Sequence, residues 1–158
     1  MLAVGDSTRL EIIFNTGYYR GLITKSPALF TNETDSVRRV SIKTDVVVNP
    51  DSTSPLIISP YKLSIYQFGD MLVDSMAFEV TNVSDKDIIL SVIDIPDDLM
   101  ELNLVNRIDA GETVRGVVRL RETAYEMTFD KSITLEVDGK VEGVDIRYTI
   151  PIVRRIIP

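Results

Sequence analysis

The 158-residue sequence contains no cysteine, no histidine and no tryptophan. Without cysteine the chain has no disulfide, no thiol nucleophile and no thiolate zinc site. Without histidine it lacks the Ser-His-Asp and Cys-His catalytic mechanisms and also the commonest metal ligand in proteins. No serine lies in a Gly-x-Ser-x-Gly motif, and no pair of carboxylates is set apart by its spacing. We therefore predict a protein that is not an enzyme and that binds no cofactor.

Acidic residues outnumber basic ones by 24 to 17, which gives a formal net charge of −7. This charge repels phosphate backbones, so nucleic acid is excluded as an expected partner. No apolar run approaches the roughly 18 residues needed to cross a bilayer, so membrane insertion is not expected. The opening residues have no basic region followed by an apolar region, as a signal peptide would. We expect any leader peptide to lie outside this chain.

Short segments with apolar residues at alternate positions, separated by turn residues, fill the sequence. Because no segment shows helical periodicity over more than two turns, we predict an all-β fold. Pro60 lies within the first segment of the longer, C-terminal part and predicts an edge strand that changes sheets there, since proline lacks an N–H. Asp138-Gly139 predicts the hairpin turn between the last two strands. The strands expected in this part are 56–59 with 63–66, an apolar strand over 88–95 buried on nearly both faces, and 75–81, 113–120, 131–137 and 144–153. Residues 99–104 form either a short strand or a helical turn.

An internal repeat organises the chain. Placing Gly5 on Gly111 sets an offset of 111 − 5 = 106 that continues without a gap to Val47 on Val153. The two copies keep the same alternate-residue apolar face, which is the period of a half-buried strand. A spacing near 100 residues is typical of one immunoglobulin-like sandwich and a short joint. The identical pairs are Gly5/Gly111, Arg9/Arg115, Tyr19/Tyr125, Lys25/Lys131, Ser26/Ser132, Leu29/Leu135 and Val47/Val153.

The repeat predicts an unequal domain organisation. Residues 1–48 correspond to the C-terminal half, three strands, of a truncated immunoglobulin-like repeat. Residues 49–55 are rich in proline and serine and form a linker. Residues 56–155 form a complete seven-stranded sandwich. The predicted fold is thus an all-β, immunoglobulin-like sandwich preceded by a three-stranded half-sandwich.

The half-sandwich has no second sheet to cover its apolar face. Its strands are expected over 8–15, 24–31 and 37–47, with the last two joined as a hairpin. Leaving roughly 400–600 Å² of apolar surface in water would cost on the order of 10–15 kcal/mol. The face is therefore expected to be covered by the second unit, by another copy of the chain or by sequence of a longer parent protein. Among these we predict that it binds protein, including a second copy of the chain, through residues 1–48. The face is expected to contain Leu10, Ile12, Phe14, Leu29, Val40 and Ile42.

Four motifs give the chain a family resemblance: Phe68-Gly69, Thr81-Asn82-Val83-Ser84, Asp109-Ala110-Gly111-Glu112 and Lys131-Ser132-Ile133-Thr134-Leu135. Their order resembles the Hydin-type (ASH) immunoglobulin-like repeats, and is most similar to a bacterial domain-of-unknown-function family of that group. The chain departs from that family in lacking its cysteine pair after the apolar strand. The resemblance implies a non-catalytic tandem module, used as a spacer or protein-interaction segment of a larger bacterial envelope or scaffold protein. It favours a periplasmic or extracellular location.

Two other functions stay open at this point. Asp94, Asp97 and Asp98 lie in and after the strand expected over 88–95 and are candidate calcium ligands, although aspartate is also common in turns. Tyr18 and Tyr19 form an exposed aromatic pair suited to a glycan. A domain that donates or accepts a strand, as a chaperone does, is the third reading.

Two further patterns have ordinary structural explanations. The triplets Asn32-Glu-Thr and Asn82-Val-Ser match glycosylation sequons, which matter only in a eukaryotic secretory route. The pairs Arg38-Arg39 and Arg154-Arg155 are expected to be the solvated ends of last strands rather than anion sites.

Overall fold

The structure is a computed structural model that describes residues 7–8, 10, 12, 14, 16, 19–30, 37–46, 53–141 and 144–158. The chain divides into two compact units, Met1–Val48 and Asn49–Pro158. We describe each unit separately.

The first unit contains an antiparallel hairpin in two parts. Strand β1 (Gly21–Lys25) pairs with β4 (Ile42–Val46), and the short β2 (Ala28–Leu29) pairs with β3 (Arg38–Arg39) inside it. This arrangement matches the predicted hairpin. The strand expected over 8–15 is not formed at the four positions that the structure describes there, which are Thr8, Leu10, Ile12 and Phe14.

The second unit is a β-sandwich of two sheets, which confirms the predicted all-β, immunoglobulin-like fold class. One sheet has the order β5-β7-β11-β9 and the other has the order β10-β8-β12-β13-β6. A 3-10 turn, Glu122–Ala124, precedes β12. The strands are β5 (Leu56–Ser59), β6 (Leu63–Phe68), β7 (Ser75–Asn82), β8 (Ile88–Asp94), β9 (Met100–Asn103), β10 (Arg107–Ile108), β11 (Thr113–Leu120), β12 (Phe129–Val141) and β13 (Val144–Ile157).

The nine strands of this unit correspond to the seven that the sequence predicts, with two additions. The first predicted strand is split, because β5 pairs with β7 in one sheet whereas β6 pairs in parallel with β13 in the other. Pro60 lies between them, where the predicted change of sheet occurs, since its nitrogen has no hydrogen to donate to a ladder. The second addition is the two-residue β10 beside β8.

The prediction that β8 is buried on nearly both faces is wrong. Ile88 and Leu90 are buried, whereas Ile89, which lies between them on the opposite face, is 49% exposed. In an antiparallel sandwich only one face of each sheet packs against the other sheet, so an apolar residue on the second face meets solvent. A continuous apolar run therefore does not show that both faces of a strand are covered.

The predicted turn at Asp138-Gly139 is also wrong. The ladder between β12 and β13 continues past it, with Lys140 opposite Asp145 and Val141 opposite Val144. The register shifts between Val137 and Lys140, and Gly139 has φ +108. An Asp-Gly pair suits a β-bulge as well as a turn, because glycine tolerates positive φ in both.

Gly116 leaves room for the ring of Phe78, its neighbour on the adjacent strand of the same sheet. It lies directly opposite Phe78 in the pairing of β11 with β7, and a Cβ built on Gly116 would lie 2.5 Å from Cζ of that ring. Phe78 is 2% exposed and belongs to the core, so its ring has little room to move. The glycine is therefore required by packing rather than by its backbone angles.

We expect Gly116→Ala to lower the free energy of unfolding by about 1–3 kcal/mol, because the added methyl overpacks the core. Urea denaturation measures this value. In a Phe78→Leu background the same substitution is expected to cost less, since the smaller side chain leaves space for the methyl. An equal cost in both backgrounds would show that Phe78 is not what excludes a side chain at position 116.

Candidate functional site

The hairpin of the first unit has two unlike faces. Because β1 and β4 pair with Ile23 opposite Thr44 and Lys25 opposite Ile42, these side chains share one face with Val46. All five are half-buried, whereas Leu22 on the opposite face is 78% exposed. We call Ile23, Lys25, Ile42, Thr44 and Val46 the hairpin face.

Among the residues of 1–48 that the structure describes, no side chain is fully buried. Of the apolar residues predicted to form the open face, Ile12, Phe14, Leu29 and Ile42 are half-buried. Leu10 and Val40 are 58% and 39% exposed. These apolar side chains are thus half-buried or exposed, and none of them lies in a fully buried position.

A shallow cavity of about 320 Å³ brings part of this surface together. Ile12 and Phe14 contribute to it from the segment before the hairpin, and Ile42 contributes from β4. Lys25, Ser26 and Pro27 complete the lining. Three of the residues predicted to form the face therefore line one depression, which is accessible from solvent.

One charged side chain lies at the edge of this cavity. Lys25 donates a hydrogen bond from Nζ to the hydroxyl of Tyr19 at 2.8 Å, and its Nζ lies 4.3 Å from the centroid of that ring. The rings of Phe14 and Tyr19 are 5.3 Å apart between centroids. Tyr19 therefore takes part in a cation–π and aromatic contact beside the cavity. Tyr18, its partner in the predicted glycan site, lies outside the described residues.

The hairpin face occupies the same alternate positions as core residues of the second unit. At the repeat offset, Ile42, Thr44 and Val46 fall on Tyr148, Ile150 and Ile152 of β13, which line the core of the sandwich. The pairing registers differ, however. Lys25 is opposite Ile42, and the offset would place Lys131 opposite residue 42 + 106 = 148, whereas Lys131 is opposite Ile152. The difference of four residues is even, so the same side chains stay on the same face.

The carboxylates proposed as calcium ligands do not form a cluster. Asp94 ends β8, and Asp97 and Asp98 lie exposed in the turn that follows. In the part of the chain that the structure describes, no group of three or more acidic side chains converges as a metal site would require. The turn itself is formed by the Pro96 carbonyl, which accepts hydrogen bonds from the amides of Leu99 and Met100.

Asn82 joins two of the motifs on which the family resemblance rests. Its side chain is completely buried. The Nδ2 group donates to the carbonyls of Lys86, Ile108 and Asp109 at 2.7, 3.1 and 3.1 Å. Oδ1 accepts from the amide and the hydroxyl of Ser84 at 3.0 and 2.7 Å. These hydrogen bonds connect two turns, and they leave the Asn82 amide inaccessible as a glycosylation site. Asn32, in the other sequon, lies outside the described residues.

The prediction that Arg154 is solvated is wrong. The side chain is completely buried on the inner face of β13. Its guanidinium donates to Oε1 of Gln67 and to the carbonyls of Tyr125 and Val73, at 3.0 and 3.3 Å for the two carbonyls. Nε has no hydrogen-bond partner within the described residues. Burial lowers the pKa of Arg154, and the negative charge of Glu126 opposes that effect.

The other arginines of these pairs lie nearer the surface. Arg155 donates to both carboxylate oxygens of Asp130 at 2.8 and 2.7 Å. Arg38 and Arg39 form β3 and are exposed, as predicted for the solvated end of a strand. Alternation along β13 explains the difference, because Arg154 shares the parity of the buried Ile150 and Ile152.

No helix among the described residues is long and apolar enough to cross a membrane. No protein-family model matches the chain, and no curated protein matches it in sequence.

Solved structures with a similar fold include WR4, an MSP family member from C. elegans, with a TM-score of 0.50 and 12% identity. The match covers 65% of this chain and all of WR4. A protein of unknown function from Porphyromonas gingivalis W83 has a TM-score of 0.47 and 16% identity, and the YadV chaperone has 0.48 and 15%. Each of these matches covers 65% of this chain but about half of the other protein, 48% and 52%. At 12% identity the similarity to WR4 shows the fold alone, which is immunoglobulin-like.

Proposed function

We propose that the protein is a non-catalytic, immunoglobulin-like module of a scaffold, and that its first unit binds protein through the hairpin face. In this proposal residues 1–48 are the closing half of a sandwich related to the Hydin-type (ASH) repeats. The observation that carries the proposal is the half-buried apolar face of a unit in which no described side chain is fully buried. A periplasmic or extracellular location and a role in a tandem array belong to the same proposal.

Two physical considerations support this function. An isolated two-stranded hairpin is marginally stable in water, and a third layer or further strands are needed to hold it. The side chains that are half-buried here occupy the positions whose counterparts in β13 line a core. The face is thus patterned for burial by a second layer, which protein from outside the unit supplies.

A second copy of the chain is the occupant that we propose. It presents the same apolar alternation, so two hairpin faces oppose Ile23, Ile42 and Val46 of each copy against one another. Such a contact is isologous, as in most homodimers. The exposed Leu22 and Thr24 on the opposite face stay in water.

We expect Ile42→Ser to weaken this self-association at least tenfold, because it removes an apolar side chain from the middle of the buried contact. Leu22→Ser is the matched control, since it removes an apolar side chain from the opposite face of the same hairpin. Sedimentation equilibrium across a range of concentrations gives the dissociation constants. The proposal fails if the wild-type protein shows no association, or if both variants associate as the wild type does.

A further inference from the structure

Strand β6 is the edge of the five-stranded sheet. Its neighbour in the sheet order is β13, with which it pairs in parallel from Ile152 opposite Leu63 to Ile157 opposite Phe68. Within the described residues no strand pairs with its other side. An edge strand of this kind presents unpaired N–H and C=O groups, which are a template for a strand from another chain.

The other edges of the sandwich carry features that hinder such pairing. Strand β5 has four residues and is bounded by Pro55 and Pro60, and β9 has four residues and contains Glu101. Strand β10 has only two residues. Short strands, prolines and charges are the devices by which natural sheets avoid pairing edge to edge.

Strand β6 has none of these devices. Its six residues, Leu-Ser-Ile-Tyr-Gln-Phe, contain no charge and no proline. Its register with β13 runs through six consecutive pairs without a shift, so no bulge turns the edge away. Among the described sheet edges of this unit, β6 is therefore the one best suited to accept another strand.

Two of the three outward side chains of β6 are large and exposed, and the third, Ser64, is half-buried. Leu63, Ile65 and Gln67 point into the sandwich and are buried, whereas Tyr66 and Phe68 are 42% and 64% exposed. Three more exposed apolar side chains lie at the same end of the strand: Ile157, paired with Phe68, and Met71 and Leu72, just after the turn at Gly69. Contiguous exposed apolar side chains beside an open edge mark a site of protein interaction.

We propose that β6 pairs with β6 of a second copy, in the antiparallel direction, to form a continuous sheet across two sandwiches. The charges that flank the strand favour this occupant. Lys62 precedes β6 and Asp70 follows it, and both are exposed. In a two-fold arrangement centred on Tyr66, the residue numbers of two opposite positions add up to 132. Lys62 of each copy therefore lies opposite Asp70 of the other copy. The strand itself brings no like charges into opposition.

This contact rests on β6 alone and does not depend on the hairpin face. A chain with two different self-complementary contacts can bind two other copies, one through each contact.

Charge placed at the centre of the proposed contact tests it. Tyr66→Lys puts two lysines directly opposite one another, which destabilises an antiparallel pair. Tyr66→Glu does the same with two glutamates, and an equimolar mixture of the two variants restores an attractive pair. Tyr61→Lys is the matched control, because Tyr61 is also exposed, at 59%, but lies outside β6. Circular dichroism of each variant confirms that it is folded.

Sedimentation velocity gives the sizes of the assemblies. We expect wild-type protein and Tyr61→Lys to form species larger than a dimer, and either Tyr66 variant alone to stop at a dimer held by the hairpin face. The mixture of Tyr66→Lys and Tyr66→Glu should recover the larger species, and Tyr66→Lys with Ile42→Ser should be a monomer. If folded Tyr66→Lys and Tyr66→Glu assemble like the wild type, or if their mixture restores nothing, the β6 contact is refuted.

The two proposals fail in distinguishable ways. If the hairpin face makes no contact, Ile42→Ser behaves like the wild type and Tyr66→Lys alone is a monomer. If β6 makes no contact, Tyr66→Lys behaves like the wild type and Ile42→Ser alone is a monomer. A monomeric wild-type protein at all concentrations refutes both.

Discussion

Asn82→Ala is expected to lower the free energy of unfolding of the second unit by about 3–5 kcal/mol. The substitution removes the polar contacts of one buried side chain. The two hydrogens of Nδ2 are shared among three carbonyls, and Oδ1 accepts two hydrogen bonds. The carbonyls of Ile108 and Asp109 then lose a partner in a site that water does not reach freely. Each buried polar group left without a partner costs about 1–3 kcal/mol. Urea denaturation followed by circular dichroism gives the difference.

Asn103→Ala is the control for this prediction. Asn103 lies exposed in β9 and the same atoms are removed, so we expect a change within about 0.5 kcal/mol. Asn82→Asp tests the donors separately, since it keeps an acceptor for Ser84 but loses the donor to the three carbonyls. A cost for Asn82→Ala as small as that for Asn103→Ala would show that the two turns hold together without this amide.

Arg154→Ala is expected to destabilise the second unit by about 3–5 kcal/mol. The buried guanidinium joins three segments, through Gln67 in β6, Val73 before β7 and Tyr125 before β12. Its removal leaves a cavity and unpaired acceptors. Burial of the charge costs desolvation free energy, and it also lowers the pKa of Arg154. This cost offsets part of the stability that the hydrogen bonds contribute, so Arg154→Ala destabilises the unit less than the hydrogen bonds alone would suggest.

Arg155→Ala provides an adjacent control. Arg155 is partly exposed and pairs with Asp130 at the surface, where an ion pair contributes about 1 kcal/mol or less. We expect its cost to be less than half that of Arg154→Ala in the same thermal or urea measurement. Equal costs for the two substitutions would contradict the conclusion that Arg154 has a distinct role in the core.

Period-two alternation and the placement of proline predict much of the second unit. Pro60 predicts the change of sheet because its effect is local: a residue without an N–H cannot continue a ladder in one sheet. The same alternation places two polar side chains at core positions, although their residue types are usually found at the surface. Asn82 shares the parity of the buried Phe78 and Val80, and Arg154 shares that of Ile150 and Ile152. The sequence predicts a solvated Arg154 because the buried partners of this side chain, Gln67 and Tyr125, lie far away in the sequence.

Other features depend on how a segment pairs or packs with distant parts of the chain, which the segment alone does not reveal. Asp138-Gly139 suits a turn, but the ladder that continues at Lys140 and Val141 makes the glycine a bulge. In β8 the apolar run predicts burial, whereas the number of sheet faces covered depends on the other sheet. The hairpin face lies between these cases. Its alternation of apolar residues can be read from the sequence, whereas the partner that we propose for it lies outside the unit.

Hydrogen exchange of the first unit at increasing protein concentration tests the central claim most directly. No described side chain of the first unit is fully buried, so closure of the hairpin face by a second copy should protect the amides of β1 and β4. We expect those amides, in Gly21–Lys25 and Ile42–Val46, to exchange quickly in dilute protein and at least tenfold more slowly once the chain associates. Protection that is the same at every concentration, in wild-type protein and in Ile42→Ser alike, would contradict the claim that this face is closed by another copy of the chain.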